Sequence, residues 1–162
     1  MSRSIHAIAT LAVALTLGVP AAADLKESLE AAMAADIRSE AEVARDANRK
    51  PIETLTFFGL KEDMRVLELL PGGGWYTKLL APVLADKGQL YVSIGTTNVA
   101  KLVEDGTLAG VEVIEAEGEF MRSETSRRFY IDGLSMDVKD LDMILTFRNM
   151  HNFTPEGRSD LN

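Results

Sequence analysis

Across residues 24–48 apolar positions recur at helical spacing. Leu25, Leu29, Ala32 with Met33, Ile37, Ala41 and Ala44 make an Ala-rich stripe between charged residues. That period predicts an amphipathic helix over the whole segment. Pro51 predicts a second, short helix that it opens at the first turn, with Leu55 and Phe58 on one side and Gly59 at the end. The period then changes. Residues 65–70 are apolar apart from Arg65 and Glu68, the pattern of a buried strand. Beyond a glycine turn, Trp75, Tyr76, Leu79, Leu80, Val83 and Leu84 return to helical spacing, and Pro82 should kink or shorten that helix. Residues 89–94 read as a second strand, 98–105 as a short helix, 111–115 as a third strand and 142–147 as a fourth. Residues 117–139 show neither period clearly, with 128–131 extended. Alternating strands and helices, with nearly continuous apolar strands, predict an α/β fold: a Rossmann-like doubly wound parallel sheet. A ligand belongs beyond the carboxyl ends of such strands, where their order switches.

The first 23 residues follow a different logic. Arg3 precedes an uncharged apolar run over 5–19, then Pro20 and three alanines. This order predicts a secretory signal peptide cut after Ala23. The alternative is an uncleaved anchor, but the run falls short of the ~20 apolar residues a spanning helix needs, and Gly18 and Pro20 interrupt it. A lone Arg without an Arg-Arg pair points to the general secretory route. The expected location is periplasmic or secreted, with no stable membrane anchor after cleavage. A helical segment over 24–60 and an α/β domain over 61–162 would follow.

Composition narrows the chemistry. At 162 residues, 46% hydrophobic and 26% charged, the chain has the make-up of one globular domain. It has no Cys, which removes disulfides, thiol nucleophiles, thiolate metal sites and the lipidated cysteine of a lipoprotein. His6 lies in the expected signal, leaving His151 alone, so no metal site is expected. A net charge of −8 argues against nucleic acid as a partner.

The informative stretch is VLELLPGGGWYT over 66–77. A strand, a glycine turn and a helix start aim backbone N–H groups at a ligand. No Lys-Ser/Thr pair closes the loop as a P-loop requires, and the spacing fits the dinucleotide fingerprint poorly, which disfavours a nicotinamide oxidoreductase. A structural alternative is a turn that simply lets the helix pack close to its strand. Glu68 in an apolar strand costs stability unless something answers it: a ligand, the backbone or Arg65.

This stretch resembles the first motif of class I S-adenosylmethionine-dependent methyltransferases. RDANRKPIETLTFFG over 45–59, PGGGWYT over 71–77 with Ala81-Pro82 behind it, and TFRNMHNF over 146–153 resemble an exported branch of that family. The resemblance implies S-adenosylmethionine as cofactor and methyl transfer to a small-molecule acceptor. It assigns Glu68 to the cofactor's ammonium group. Pro71, Gly72, Gly73 and Gly74, running into Trp75 and Tyr76, would follow its methionine and ribose portions. Where many members hold the ribose with an acid at the second strand's end, this chain offers the neutral Asn98 or Thr96. Leu70 stands where the motif usually has its first glycine.

The exit of the fourth strand supplies the catalytic candidates Arg148, Asn149 and His151. His151 is either a general base for a hydroxyl or amine acceptor or a capping residue of its loop. Arg148 either binds a carboxylate of cofactor or substrate or pairs with Glu68 or Asp142. Arg45, Asp46 and Arg49 are either part of a lid over the site or a solvated helix face. The family's sheet has seven strands against four candidates here, so the resemblance implies a C-terminally truncated domain whose open edge could self-associate. A non-catalytic remnant or binding module is the alternative function.

Overall fold

The computed structural model describes residues 21–122 and 129–149. The expected long first helix is three. α1 spans Ala21–Met33, α2 Glu40–Val43 and α3 Asp46–Arg49. Leu25, Leu29 and Ala32 bury the stripe of α1, but α2 and α3 bury nothing. Two polar devices end the helix early. Arg38 donates to the carbonyl of Met33 at 2.8 Å, satisfying an orphan acceptor of α1, and also binds the carboxylate of Asp46. Ser39 then starts α2 with a capping box: its hydroxyl accepts from the N–H of Glu42, whose side chain accepts from the N–H of Ser39.

α4 spans Pro51–Phe57 with Pro51 at its first turn, as expected. It closes in a Schellman motif. Gly59, at φ 76°, donates to Thr56, and Leu60 donates to Leu55. Leu55 and Leu60 bury together, whereas Phe57 and Phe58 remain exposed. Phe58 therefore does not share the buried side of Leu55.

β1 (Arg65–Leu69), β2 (Gln89–Ser93), β3 (Val111–Ile114) and β6 (Met143–Leu145) form one sheet in the order β3-β2-β1-β6, with every pairing parallel. α5 (Thr77–Leu84) connects β1 to β2, and α6 (Thr97–Glu104) connects β2 to β3. Pro82 lies on the exposed side of α5, which runs on to Leu84. The stretch left open by the sequence pattern forms an antiparallel hairpin outside this sheet, β4 (Ala116–Arg122) with β5 (Phe129–Met136), bulged near Gly118. Asp142 starts β6: its N–H donates to the carbonyl of Arg65 at 2.9 Å, and its carboxylate accepts from the N–H of Arg65 at 2.8 Å.

The fold is thus α/β with a Rossmann-like parallel sheet. The core lies on one face, where Val66, Leu90, Val92, Val111 and Leu145 meet Leu29 of α1 and Leu79, Leu80 and Leu84 of α5. Each fully buried leucine contributes about 1.5–3 kcal/mol. From β1 the chain moves outward through β2 and β3, then returns to the opposite side of β1 with β6. The order therefore switches between β1 and β6, and a crevice is expected at their carboxyl ends.

Candidate functional site

A cleft of about 390 Å³ opens at that switch point. Its lining comes from the exit of β1 (Glu68, Leu70 to Gly73), the turn before α5 (Trp75, Tyr76), the exit of β6 (Phe147 to Asn149) and the α2–α3 region (Glu42, Arg45, Arg49). The period of two along β1 puts Glu68 on the core side with Val66, flanked by Val92 and Leu145 in register. Glu68 is consequently only 3% exposed. Burial raises its pKa from 4.5 to about 7, opposed by a hydrogen bond from Thr77. That hydroxyl donates to Oε2 at 2.6 Å, while the described residues leave Oε1 uncommitted. Arg65, an alternative partner for Glu68, is engaged elsewhere: it donates to the carbonyl of Lys139 and lies over the Tyr91 ring.

Three strand exits adopt left-handed backbone. Leu70, Ile94 and Arg148 have φ of 57°, 59° and 63°. Such conformations cost side-chain-bearing residues roughly 1–2 kcal/mol and concentrate at ligand sites. Leu70 therefore occupies the resembled motif's glycine position in a glycine-like conformation. Pro71, Gly72 and Gly73 line the cleft, and a Cβ at Gly72 or Gly73 would meet nothing within 4 Å. Gly74 is buried behind them, close to Val99.

The aromatic residues build one wall. Tyr76 stacks on Phe147 with ring centroids 3.4 Å apart and planes at 11°. Trp75 Nε1 donates to the carbonyl of Glu42 at 2.9 Å, and the Arg49 guanidinium lies 4.4 Å from the Trp75 ring. Glu42 holds this wall to α5, with Lys78 Nζ 2.9 Å from each carboxylate oxygen.

Other expected residues lie apart from the cleft or serve it indirectly. Asn98 is exposed and donates to the carbonyl of Gly72 at 3.4 Å, tying α6 to the glycine turn. Asn149 lines the cleft, but its amide donates to Thr146 and to the carbonyl of Phe147. Arg148 is exposed at the cleft, and among the described residues it pairs with neither Glu68 nor Asp142. His151 lies outside the described residues, as does the 1–20 part of the expected signal. Sequence reasoning missed Glu42, Thr77 and Phe147. The capping pattern Ser39-x-x-Glu42 was the available sign that a turn, not a continuous helix, brings this region to the cleft.

A second cleft, of about 430 Å³, lies along the same sheet edge at the exits of β2 and β3, bordered by Ile94, Gly95, Thr96, Ile114 and Glu115. Ser93, the last residue of β2, gives its hydroxyl to the carbonyl of Ile114.

The described residues define an α/β protein of Rossmann-like class with a polar cleft at its switch point. No protein-family model and no curated protein matches the chain. A solved SAM-dependent methyltransferase from Aquifex aeolicus is similar to it at 31% identity, covering 44% of this chain and 40% of that one, with a TM-score of 0.38. The chain thus spans less than half of that structure's length.

Proposed function

We propose that this protein is an S-adenosylmethionine-dependent methyltransferase acting on a small-molecule acceptor, with the cofactor seated at the β1–β6 switch point. The observation that carries the reading is Glu68. A buried acid with one oxygen held by Thr77 and the other uncommitted, at the floor of an open glycine-lined cleft, suits a cationic ammonium group. In that role Glu68 binds the ammonium, Gly72 and Gly73 admit the ligand close to the backbone, and Tyr76 on Phe147 closes one side against water. Bound S-adenosylmethionine supplies an activated methyl group on sulfur. Transfer then depends chiefly on alignment of donor and acceptor, which suits a cleft with rigid aromatic walls.

A thermal melt of the full chain with S-adenosylhomocysteine tests the reading. At a hundredfold excess over Kd the transition should gain about 2.7 kcal/mol. A cooperative transition that ignores the ligand would reject it in favour of a non-catalytic module of the same fold.

Export belongs to the same proposal. The start over residues 1–23 supports secretion, so protein recovered from outside the cytoplasm should begin at Asp24 by N-terminal sequencing. Recovery with residues 1–23 intact would contradict it.

A further inference from the structure

Three arginines converge on the switch-point cleft of a protein whose net charge is −8. Arg45 and Arg49 are four residues apart around α3, and Arg148 arrives from the exit of β6 in a left-handed conformation. Two neighbouring, more buried cations have acids: Arg38 pairs with Asp46, and Lys78 with Glu42. Among the described residues Arg45, Arg49 and Arg148 have none. Of the cleft's own acids, Glu42 is taken by Lys78 and Ser39, and Glu68, which keeps one oxygen uncommitted, forms no ion pair with any of the three among the described residues.

One member of the triad is also braced. The Arg49 guanidinium lies 4.4 Å from the Trp75 ring and 5.6 Å from the Tyr76 ring, which restricts its orientation. Burial depresses its pKa, Tyr76 opposes that, and the positive charges of Arg45 and Arg148 depress it further, so the three act on a common space. Arg45 and Arg148 are exposed and Arg49 half-buried, so water screens their mutual repulsion, and an anion seated between them would meet three positive charges at once. S-adenosylmethionine carries ammonium and sulfonium cations against one carboxylate, so it gains little from three guanidinium groups. An acceptor bearing negative charge gains from all of them.

We propose that Arg45, Arg49 and Arg148 form an anion subsite of the cleft, and that the methyl acceptor carries a carboxylate or phosphate group held there. The assignment to the acceptor rests on the methyltransferase reading; the anion subsite does not. Trp75 is the lone tryptophan and lies beneath Arg49, so its emission reports on the subsite directly.

The test titrates inorganic phosphate into the full chain at constant ionic strength, with and without saturating S-adenosylhomocysteine. Trp75 emission and calorimetry are both read. Saturable phosphate binding is expected in both conditions, weakened about tenfold or more in Arg49→Gln and in Arg148→Gln, as loss of a charge-assisted contact implies. Thermal melts establish that each variant is folded, and the exposed Arg148→Gln is the decisive one if Arg49→Gln unfolds. Phosphate binding unchanged in Arg148→Gln overturns the triad. Phosphate excluded by S-adenosylhomocysteine, together with weaker S-adenosylhomocysteine binding in the variants, would give the anion to the cofactor's carboxylate and overturn the acceptor assignment. S-adenosylhomocysteine binding without any phosphate response overturns the subsite and leaves the methyltransferase reading standing. Phosphate binding without S-adenosylhomocysteine binding does the reverse.

Discussion

The Thr77 hydroxyl donates to Oε2 of Glu68 at 2.6 Å, joining the first residue of α5 to the carboxyl end of β1 across the glycine turn. Both side chains are buried, and burial raises the pKa of the one acid on the core side of β1 while this bond partly opposes the rise.

Glu68 makes stability depend on pH in a definite direction. Its folded pKa, about 7, lies above the ordinary 4.5 because burial disfavours the charged form. Between those values the folded chain keeps a proton that the unfolded chain has released, so stability falls as pH rises through the window. The loss is on the order of 3 kcal/mol if the whole shift is realised. Urea unfolding at about pH 5 and about pH 8 should show this decline in the parent and a smaller one in Glu68→Gln. Parallel pH profiles for the two proteins would refute it. On the methyltransferase reading, S-adenosylhomocysteine should also bind more tightly as Glu68 ionises, and Glu68→Gln should lose that pH dependence.

Thr77→Val removes the hydroxyl while nearly preserving shape. The buried carboxyl then loses its described donor, a change costing about 1–3 kcal/mol. Because the hydrogen bond lowers the Glu68 pKa, its removal should push that pKa further up and extend the stability decline, which still begins at the unfolded value, to higher pH. Thr77→Ser should keep both pKa and pH profile close to the parent. NMR titration of the Glu68 side chain in the three proteins reads this directly, and an unshifted pKa in Thr77→Val would count against the assignment.

The parallel sheet was legible because its strands are short apolar runs bounded by glycine and proline, which local chemistry can mark. Arg65 to Leu69, Gln89 to Ser93 and Val111 to Ile114 fall inside their expected ranges. The antiparallel pairing of β4 with β5 was not legible, although residues 129–131 of β5 fall in the stretch expected to be extended. The hairpin's residues alternate weakly, and cross-strand pairing is a non-local property that composition does not announce. The N-terminal helix was overextended for the opposite reason. Alanines and charges continue the helical period past Met33, but Arg38 and Ser39 spend their polar atoms on ending it. The glycine turn, Glu68, Trp75 and Tyr76 stood out from sequence, whereas Phe147, the other half of the aromatic wall, did not. Phe147 meets Tyr76 only because β6 returns to the side of β1.

Glu42 and Lys78 should be coupled. Burial raises the Glu42 pKa, but hydrogen bonds from Ser39 and Lys78 outweigh it and the net shift is downward. A lowered carboxylate pKa contributes stability above the ordinary 4.5 that is lost as pH falls through the folded value. Glu42→Gln and Lys78→Gln should each cost about 1 kcal/mol at neutral pH. The double variant should cost less than their sum by roughly 0.5 kcal/mol or more. Strict additivity in denaturant melts would mean that the pair does not hold the α2 region to α5.

Glycines near the cleft should separate folding from binding. At Gly73 a Cβ meets nothing within 4 Å and no positive φ forbids it, so Gly73→Ala should change stability by no more than about 0.5 kcal/mol. The added methyl nevertheless projects from a residue that lines the cleft, so on the methyltransferase reading S-adenosylhomocysteine should bind at least about tenfold more weakly, a loss of about 1.4 kcal/mol. Gly74→Ala differs: φ is 80° and the Cβ would lie 3.1 Å from Val99 Cγ2, so roughly 1–2 kcal/mol of stability should be lost. Gly88→Ala is a control away from the cleft. Its Cβ would lie 2.5 Å from the Met64 carbonyl oxygen and 2.6 Å from that of Glu62, so it should cost about 1–3 kcal/mol by overpacking. Melts of the three variants with and without S-adenosylhomocysteine provide the comparison. If Gly73→Ala keeps both its stability and its ligand-induced shift, the ligand does not approach the backbone there, and the cofactor must be placed elsewhere along the sheet edge.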